Sequence, residues 1–156
     1  MTRGRRWLQA AAVAGGLHAA FSLYWALGGR RLLGTVGQWA VHLVDDQPVR
    51  AGLVLAVVAV VKALGAALPL VWAAGRLRPV RPWRWLFTAG AVVLVAYGSL
   101  NVVVSWGVLT GLITTPDGYD RAAQLGHAAL WDPLFLLWGV CLATGLWRHG
   151  QFAERS

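Results

Sequence analysis

The amino-acid sequence predicts an all-α membrane protein, a polytopic four-helix bundle with an extra amphipathic helix between spans one and two. Apolar residues make up 58% of the 156 residues and charged residues only 13%, well below the roughly 25% of an ordinary soluble domain. Four apolar runs each exceed the roughly 20 residues that cross a bilayer as a helix. A chain of this length holds one core, so residues 1–156 are expected to form a single integral membrane domain.

The four spans are expected at about residues 7–29, 51–75, 85–111 and 124–147. Helices suit these runs because every backbone amide in lipid must find its partner within the segment. The first run follows Arg3, Arg5 and Arg6, as the core of a signal peptide would, but it is longer than such a core and no small-residue cleavage site closes it. We therefore interpret this run as a retained helix.

Two connections between the spans carry structural information of their own. Between spans one and two, apolar residues recur at helical spacing, which predicts an amphipathic helix at about residues 32–44. This helix would lie on the outer membrane surface or fold back over the mouth of the bundle. The connection of residues 76–84 is short and contains two prolines, so spans two and three are expected to be antiparallel neighbours.

The arginines predict how the protein lies in the membrane. Nine of them fall in the two terminal tails and in the connection of residues 76–84, and four fall on the other side. The positive-inside rule then places both termini in the cytoplasm, in a multi-pass protein of the cell inner (plasma) membrane. A net charge of +8 would suggest nucleic acid in a soluble protein, but these clusters serve as topology signals. Membrane lipids are the expected partners instead of nucleic acid, and a homo-oligomer is compatible with the sequence.

Lys62 is the only lysine, and it lies about 11 residues into the second span. That is roughly 16 Å from the outer end of a helix, too deep for the side chain to reach the interface easily. A charge at this depth costs at least about 2.5 kcal/mol unless it is paired or hydrated, so such residues usually face the bundle interior. The alternative is a neutral lysine, or one bonded to backbone carbonyls, that only holds helices together.

Asp132 is the only acidic residue within a span, and Pro133 follows it. Because proline removes a backbone donor and disfavours helix at the residue before it, span four is expected to be kinked or broken here. His127 and Trp131 would then lie on the outer piece. Broken helices at membrane depth are typical of binding sites. The alternative is a kink in which the carboxylate only caps the helix that starts at Pro133.

Two spans carry polar stripes, and their members share one helix face. One stripe consists of His18, Ser22 and Trp25, and the other of Tyr97, Asn101 and Ser105. Hydroxyl and amide groups between helices can also serve only as interhelical contacts, which is the alternative for Ser22 and Ser105. Counted from the outer ends of the spans, these residues, Lys62 and Asp132 converge on the outer half of the bundle. We therefore expect a polar pocket that opens outward.

Asp132, His127 and His18 are the candidate catalytic residues, because a carboxylate and imidazoles can exchange protons near neutral pH. The candidate ligand-binding residues are Lys62, Asn101, Tyr97, Trp25, Trp131 and Ser22. The three catalytic candidates could form a two-histidine, one-carboxylate metal set, but no H-E-x-x-H motif or closely spaced histidine pair occurs, and no metal is predicted. Cys141 is the only cysteine, which excludes an internal disulfide. No P-loop or Rossmann glycine pattern occurs, so no cofactor is expected.

Three stretches of the sequence carry a resemblance to a known family. They are HAAFSLYWALGG at residues 18–29, YGSLN at 97–101 and GHAALWDPLFLLWG at 126–139. These stretches resemble an uncharacterised family of small four-span membrane proteins, common in actinobacteria and described as a domain of unknown function. The resemblance extends over nearly the whole chain and implies the fold, but it brings no activity. Its motif positions overlap the residues chosen above on physical grounds at His18, Trp25, Asn101, His127, Trp131 and Asp132, and they add Tyr24 to the ligand-binding candidates.

Three functions are compatible with these observations. The leading hypothesis is an outward-facing intramembrane polar pocket that binds a lipid-like or small amphipathic molecule. Acid/base chemistry would use Asp132 and His127 as proton-handling groups and Lys62 as a counter-ion. The second is a small proton-coupled transporter or channel component, which would be an oligomer because four spans are few for a carrier. The third is a structural or accessory subunit whose polar residues only hold helices together.

Overall fold

The computed structural model describes residues 3–77 and 81–153, and within these residues it contains helices and no strand. The long helices are α1 (Arg3–Ala26), α3 (Pro48–Ala73), α4 (Arg81–Leu109) and α6 (Asp132–Ala153). The shorter elements are a 3₁₀ turn (Leu33–Thr35), α2 (Gln38–Asp46), α5 (Arg121–Gly126) and a π-helical segment (His127–Trp131). The all-helical class predicted from the sequence is confirmed.

Three helical stretches are long and apolar enough to cross a membrane: Pro48–Ala73, Pro82–Leu109 and Arg121–His149. The last stretch joins α5, the π-helical segment and most of α6. With 24 residues α1 has a comparable length, but it begins with three arginines and carries Gln9 and His18, so it is more polar than the other three. These features are those of a membrane protein.

Glycines end α1 and α3 before the limits expected from hydrophobicity. The N–H groups of Gly28 and Gly29 donate back to carbonyls in the last turn of α1, and Gly28 adopts φ +89°, a conformation that glycine tolerates best. This is a Schellman motif, and Gly75 repeats it after α3 with φ +73°. Arg78 and Pro79 in the next connection and Arg155 in the tail, which the sequence argument also used, lie outside the described residues.

The four long helices pack in the order α3, α1, α6, α4. α1 packs along both α3 and α6, and α6 packs along α4, whereas α3 and α4 touch only slightly. Their contact lies near the connection between them, where the ring centres of Trp72 and Phe87 are 5.9 Å apart. The expectation that these two spans are neighbours is therefore wrong. Each packs along a different helix, α3 along α1 and α4 along α6, and Trp138 of α6 lies against Gly15 of α1.

The segment between α1 and α3 contains a turn and a short helix rather than one helix over residues 32–44. Gly37, with φ +134°, separates the 3₁₀ turn from α2, because a helix cannot continue through that conformation. Leu33, Ala40 and Val44 of this segment are buried in one cluster with Trp25 of α1, Ala51 of α3 and Trp131. The segment therefore covers one end of α1 and α3 and the π-helical segment.

Candidate functional site

Eight of the ten candidate site residues line one cavity of about 460 Å³, called the polar cavity below. It lies among the four long helices, at the end covered by the segment before α3. Its lining consists of His18, Trp25, Val36, Trp39, Lys62, Tyr97, Asn101, His127, Trp131, Asp132 and Phe135. Residues from α1, α3, α4 and the fourth apolar run therefore converge at one place.

The π-helical segment brings His127 and Asp132 onto one face. In an α-helix, residues five apart point roughly 140° away from each other, because each residue turns the chain by about 100°. The wider π turn closes between residues five apart and places these two side chains one above the other. Pro133 favours it, because proline offers no N–H to the carbonyl of Ala129. The expected break of span four is thus a π turn within a helical stretch that continues through α6.

His127 and Asp132 form a hydrogen-bonded pair beside the polar cavity. His127 Nδ1 lies 2.8 Å from Asp132 Oδ2, and its Nε2 lies 3.2 Å from the carbonyl oxygen of Val36. A neutral imidazole has one N–H, so making both bonds requires two protons on the two side chains together. The pair is then either an imidazolium with a carboxylate or a neutral imidazole with a carboxylic acid. Both forms are neutral overall and hold one proton that can move along the 2.8 Å bond.

The second carboxyl oxygen of Asp132 is left without a donor. Asp132 is only 1% exposed, and Oδ1 is buried with no hydrogen-bond partner among the residues that the structure describes. Among the described residues, neither oxygen accepts a backbone N–H of α6, since Oδ2 is bonded to His127 and Oδ1 has no partner. Asp132 therefore does not act only as the cap of the helix that starts at Pro133.

Lys62 lines the same cavity but does not pair with Asp132. Its Nζ donates to Ser22 Oγ at 3.0 Å and lies 5.3 Å from the centre of the Phe135 ring. Within the described part of the chain, Lys62 forms no ion pair, while Asp132 is paired with His127. Ser22 belongs to a smaller adjoining cavity of about 200 Å³ that Lys62 also lines. The lysine thus contacts a neutral hydroxyl and an aromatic face.

His18 is buried in α1 and is held by two contacts. Its Nε2 donates to the Trp131 carbonyl at 3.0 Å, and its ring stacks on Phe135 with 3.8 Å between ring centres. One N–H is enough for this bond, so a neutral imidazole satisfies it. His18 fixes the position of the π turn, and its Nδ1 is the part of the ring available for chemistry.

Three hydrogen bonds donated by candidate site residues reach the covering segment, which is the segment of residues 27–47 between α1 and α3. Trp25 Nε1 donates to the Arg31 carbonyl at 2.9 Å, Trp131 Nε1 donates to Thr35 Oγ1 at 3.0 Å, and His127 donates to the Val36 carbonyl. The two tryptophan rings also meet edge to face, with 5.2 Å between their centres. These tryptophans therefore form the cavity wall and hold its cover.

The α4 side of the cavity is formed by Tyr97 and Asn101. Asn101 Nδ2 donates to the Tyr97 carbonyl at 2.9 Å, and the Tyr97 ring meets Phe135 edge to face at 5.6 Å. α4 comes very close to α6 here, since a Cβ on Gly98 would lie 2.7 Å from the Leu136 nitrogen. Glycine at this position is what allows the two residues to stand beside the first turn of α6.

Some residues differ from the sequence-based selection. Tyr24 does not line the polar cavity, and its hydroxyl instead accepts a hydrogen bond from the Arg31 N–H at 3.3 Å. Sequence reasoning missed Val36, Trp39 and Phe135 as lining residues. Phe135 stands one helical turn after Trp131, a spacing that could have indicated it. A contact made by the backbone carbonyl of Val36 leaves no signal in the sequence.

Metal binding has little support from this geometry. Among the residues that the structure describes, no group of three or more histidine, cysteine, aspartate or glutamate residues could hold a metal ion. Both ring nitrogens of His127 face protein acceptors, and His18 uses its Nε2 for the Trp131 carbonyl. The arrangement is suited to proton transfer and to binding a polar group.

The chain matches the model of the family described as "Protein of unknown function (DUF3995)" over residues 15–142. The chain belongs to this family. The match includes every residue that lines the polar cavity, and it confirms the resemblance to an uncharacterised family. Comparisons with curated proteins and with solved structures find no match to this chain. The function is therefore argued from the geometry of the site.

Proposed function

We propose that this chain is a multi-pass protein of the inner membrane that binds a lipid-like or small amphipathic molecule in the polar cavity and transfers a proton there. In this proposal α1 also crosses the membrane, so that the protein has four spans and both termini are cytoplasmic. The cavity lies in the outer half of the bundle and opens outward. Asp132 and His127 handle the proton, and Lys62 supplies a positive charge. The observation that carries the proposal is the unpartnered Oδ1 of Asp132 within the described residues.

The free energy of burial supports a ligand at this oxygen. A buried acceptor without a donor costs about 1–3 kcal/mol, and folded proteins keep few such groups. The carboxyl group cannot turn Oδ1 elsewhere without breaking the 2.8 Å bond from Oδ2 to His127. A ligand that donates a hydrogen bond to Oδ1 would remove this cost, and its proton would lie beside a pair able to accept it.

Exposed apolar surface supports the membrane location. Large aliphatic side chains are exposed along both α3 and α4, among them Leu53, Val57, Val61, Leu64, Val92, Val93, Leu100 and Val103. Apolar surface of this extent is unusual on a soluble monomer, and lipid is the solvent in which it is stable. The excess of arginines at the ends named above supports the orientation.

The packing of the chain favours this proposal over the two alternatives. Proton-coupled transport needs a path to both membrane faces, but α1, α4 and α6 pack tightly beyond the cavity, where Leu8, Cys141 and Leu142 are buried. A purely structural role predicts that the polar side chains contact one another without a void. Instead they line an open pocket of about 460 Å³, a volume within the range of ligand-binding sites.

The test compares the molecules that copurify with the wild-type protein and with Asp132→Asn, identified by mass spectrometry of lipids and metabolites. Asparagine can keep the bond to His127 but presents a neutral oxygen, so retention of the ligand should fall about tenfold. Asp46→Asn, in an exposed residue of α2, is the matched control and should retain the wild-type compounds. If Asp132→Asn retains every compound as well as the wild type does, the proposal fails.

The orientation can be tested by labelling single cysteines in intact cells that express the protein. In a Cys141→Ser background, a cysteine at Asp46 should react with a membrane-impermeant maleimide in intact cells. A cysteine at Arg76 should react only after the membrane is opened. If the cysteine at position 76 reacts in intact cells and the one at position 46 does not, the proposed orientation is wrong.

A further inference from the structure

We propose that the ligand of the polar cavity is a lipid whose headgroup carries a phosphate and a free hydroxyl, with the phosphate at Lys62 and the hydroxyl at Asp132. The acyl chains leave the cavity sideways between α3 and α4. This inference rests on the proposed function and adds the chemical class of the ligand. Three features of the described residues carry it. Lys62 has no counter-ion, Asp132 Oδ1 has no hydrogen-bond donor, and α3 touches α4 only slightly.

The charges that line the cavity do not balance. The His127–Asp132 pair is neutral in either of its proton arrangements, and a neutral His18 satisfies its bond to the Trp131 carbonyl. Lys62 therefore leaves the cavity with one positive charge, and no carboxylate of the described residues pairs with it. A charge in a membrane interior is normally paired. A phosphate oxygen fits this role, since lysine binds phosphate as a point charge.

Asp132 Oδ1 sets a second requirement. Because this oxygen can only accept a hydrogen bond, the group that meets it must carry a proton. A phosphodiester without a hydroxyl carries no proton and would place acceptor against acceptor, and an alcohol alone would leave Lys62 without a counter-ion. A headgroup that combines a phosphate with a nearby hydroxyl satisfies both side chains, as the phosphoglycerol group does.

The size and position of the cavity point to a lipid. A volume of about 460 Å³ lies toward the lower end of ligand pockets, roughly 300–1,000 Å³, so it suits a headgroup better than a whole lipid. Lys62 lines the cavity from α3 and Tyr97 from α4, and within the described residues these two helices touch only slightly, with the rings of Trp72 and Phe87 in contact near one end. Tyr97 is 48% exposed, as expected for a residue at the edge of a lateral opening through which acyl chains pass.

The experiment titrates delipidated protein in neutral detergent with single probes and measures their binding by native mass spectrometry. The probes are phosphatidylglycerol, phosphatidylmethanol without a headgroup hydroxyl, diacylglycerol without a phosphate, and water-soluble glycerol phosphate. Phosphatidylglycerol should bind about tenfold more tightly than phosphatidylmethanol or diacylglycerol, because each lacks one charge-assisted hydrogen bond. Lys62→Met should remove the preference over diacylglycerol, and Lys62→Arg should retain most of it. Asp132→Asn should reduce the preference over phosphatidylmethanol.

The outcomes separate this inference from the proposed function. Equal binding of phosphatidylglycerol and diacylglycerol, or unchanged selectivity in Lys62→Met, would overturn the phosphate assignment. If a neutral compound still copurifies in an Asp132-dependent manner, the proposed function survives without it. Glycerol phosphate that binds as tightly as phosphatidylglycerol would overturn the lipid and its lateral route. If no probe binds and no copurifying compound depends on Asp132, both proposals fail.

Discussion

The His127–Asp132 pair predicts an unusual result in a double-mutant cycle. His127→Ala leaves the carboxyl group of Asp132, only 1% exposed, without a partner for either oxygen, and breaking a buried pair in this way costs about 3 kcal/mol or more. Asp132→Ala leaves an imidazole that is 28% exposed, so water can replace the lost bond and the cost is about 1–2 kcal/mol. The double variant removes the buried acid along with its partner. It should therefore be more stable than His127→Ala alone, with a coupling energy of about 2 kcal/mol.

The cycle can be measured by reversible unfolding in mixed micelles of a mild and a denaturing detergent, followed by tryptophan fluorescence. His42→Ala is the control because His42 lies on α2 outside the polar cavity, and it should change the free energy of unfolding by about 0.5 kcal/mol or less. If the two single effects add to within about 0.5 kcal/mol, the side chains are not coupled. The shared proton inferred from the geometry would then be refuted.

Two further substitutions test the packing around the site. Gly98→Ala should lower the free energy of unfolding by about 1–3 kcal/mol, since its Cβ would lie 2.7 Å from the Leu136 nitrogen. Gly90→Ala on the same helix is the control, because nothing packed against the helix lies within 4 Å of the added Cβ, and it should be neutral or slightly stabilising. Thermal unfolding in detergent compares the two variants. Equal losses of stability would contradict the close approach of α4 and α6. Trp131→Phe should lower the free energy of unfolding by about 0.5–1.5 kcal/mol, because the hydrogen bond to Thr35 is lost. Adding Thr35→Val to this variant should lower it little further. If the two losses add, this hydrogen bond is not what holds the covering segment.

Most of the residues that line the polar cavity could be selected from the sequence, because polar residues are conspicuous in apolar helices. Lys62 and Asp132 are identified by their rarity within the apolar runs, and His18 and Asn101 by their position on polar helix faces. A charge in lipid must be compensated, so each such residue predicts a partner. The sequence does not say which partner, and Lys62 contacts the hydroxyl of Ser22.

Two features depend on tertiary packing and local geometry that no periodicity reveals. His127 and Asp132 are five positions apart in the sequence, and only the π turn places them on the same face. A short connection suggests that its two helices are neighbours, but α3 packs along α1 and α4 packs along α6. Helix type and approximate limits follow from local sequence, but helix order depends on which faces fit together.

The same packing indicates how the proposed ligand would reach the polar cavity. At one end the covering segment is held by hydrogen bonds from Trp25, Trp131 and His127, so opening that end would break bonds made by the site itself. At the other end, the rings of Trp72 and Phe87 are in contact and join α3 to α4. The side between those two helices lacks such contacts within the described residues. Entry along the membrane plane therefore leaves the His127–Asp132 pair and its bond to Val36 intact, whereas entry through the covered end would disturb the proton arrangement on which the proposed chemistry depends.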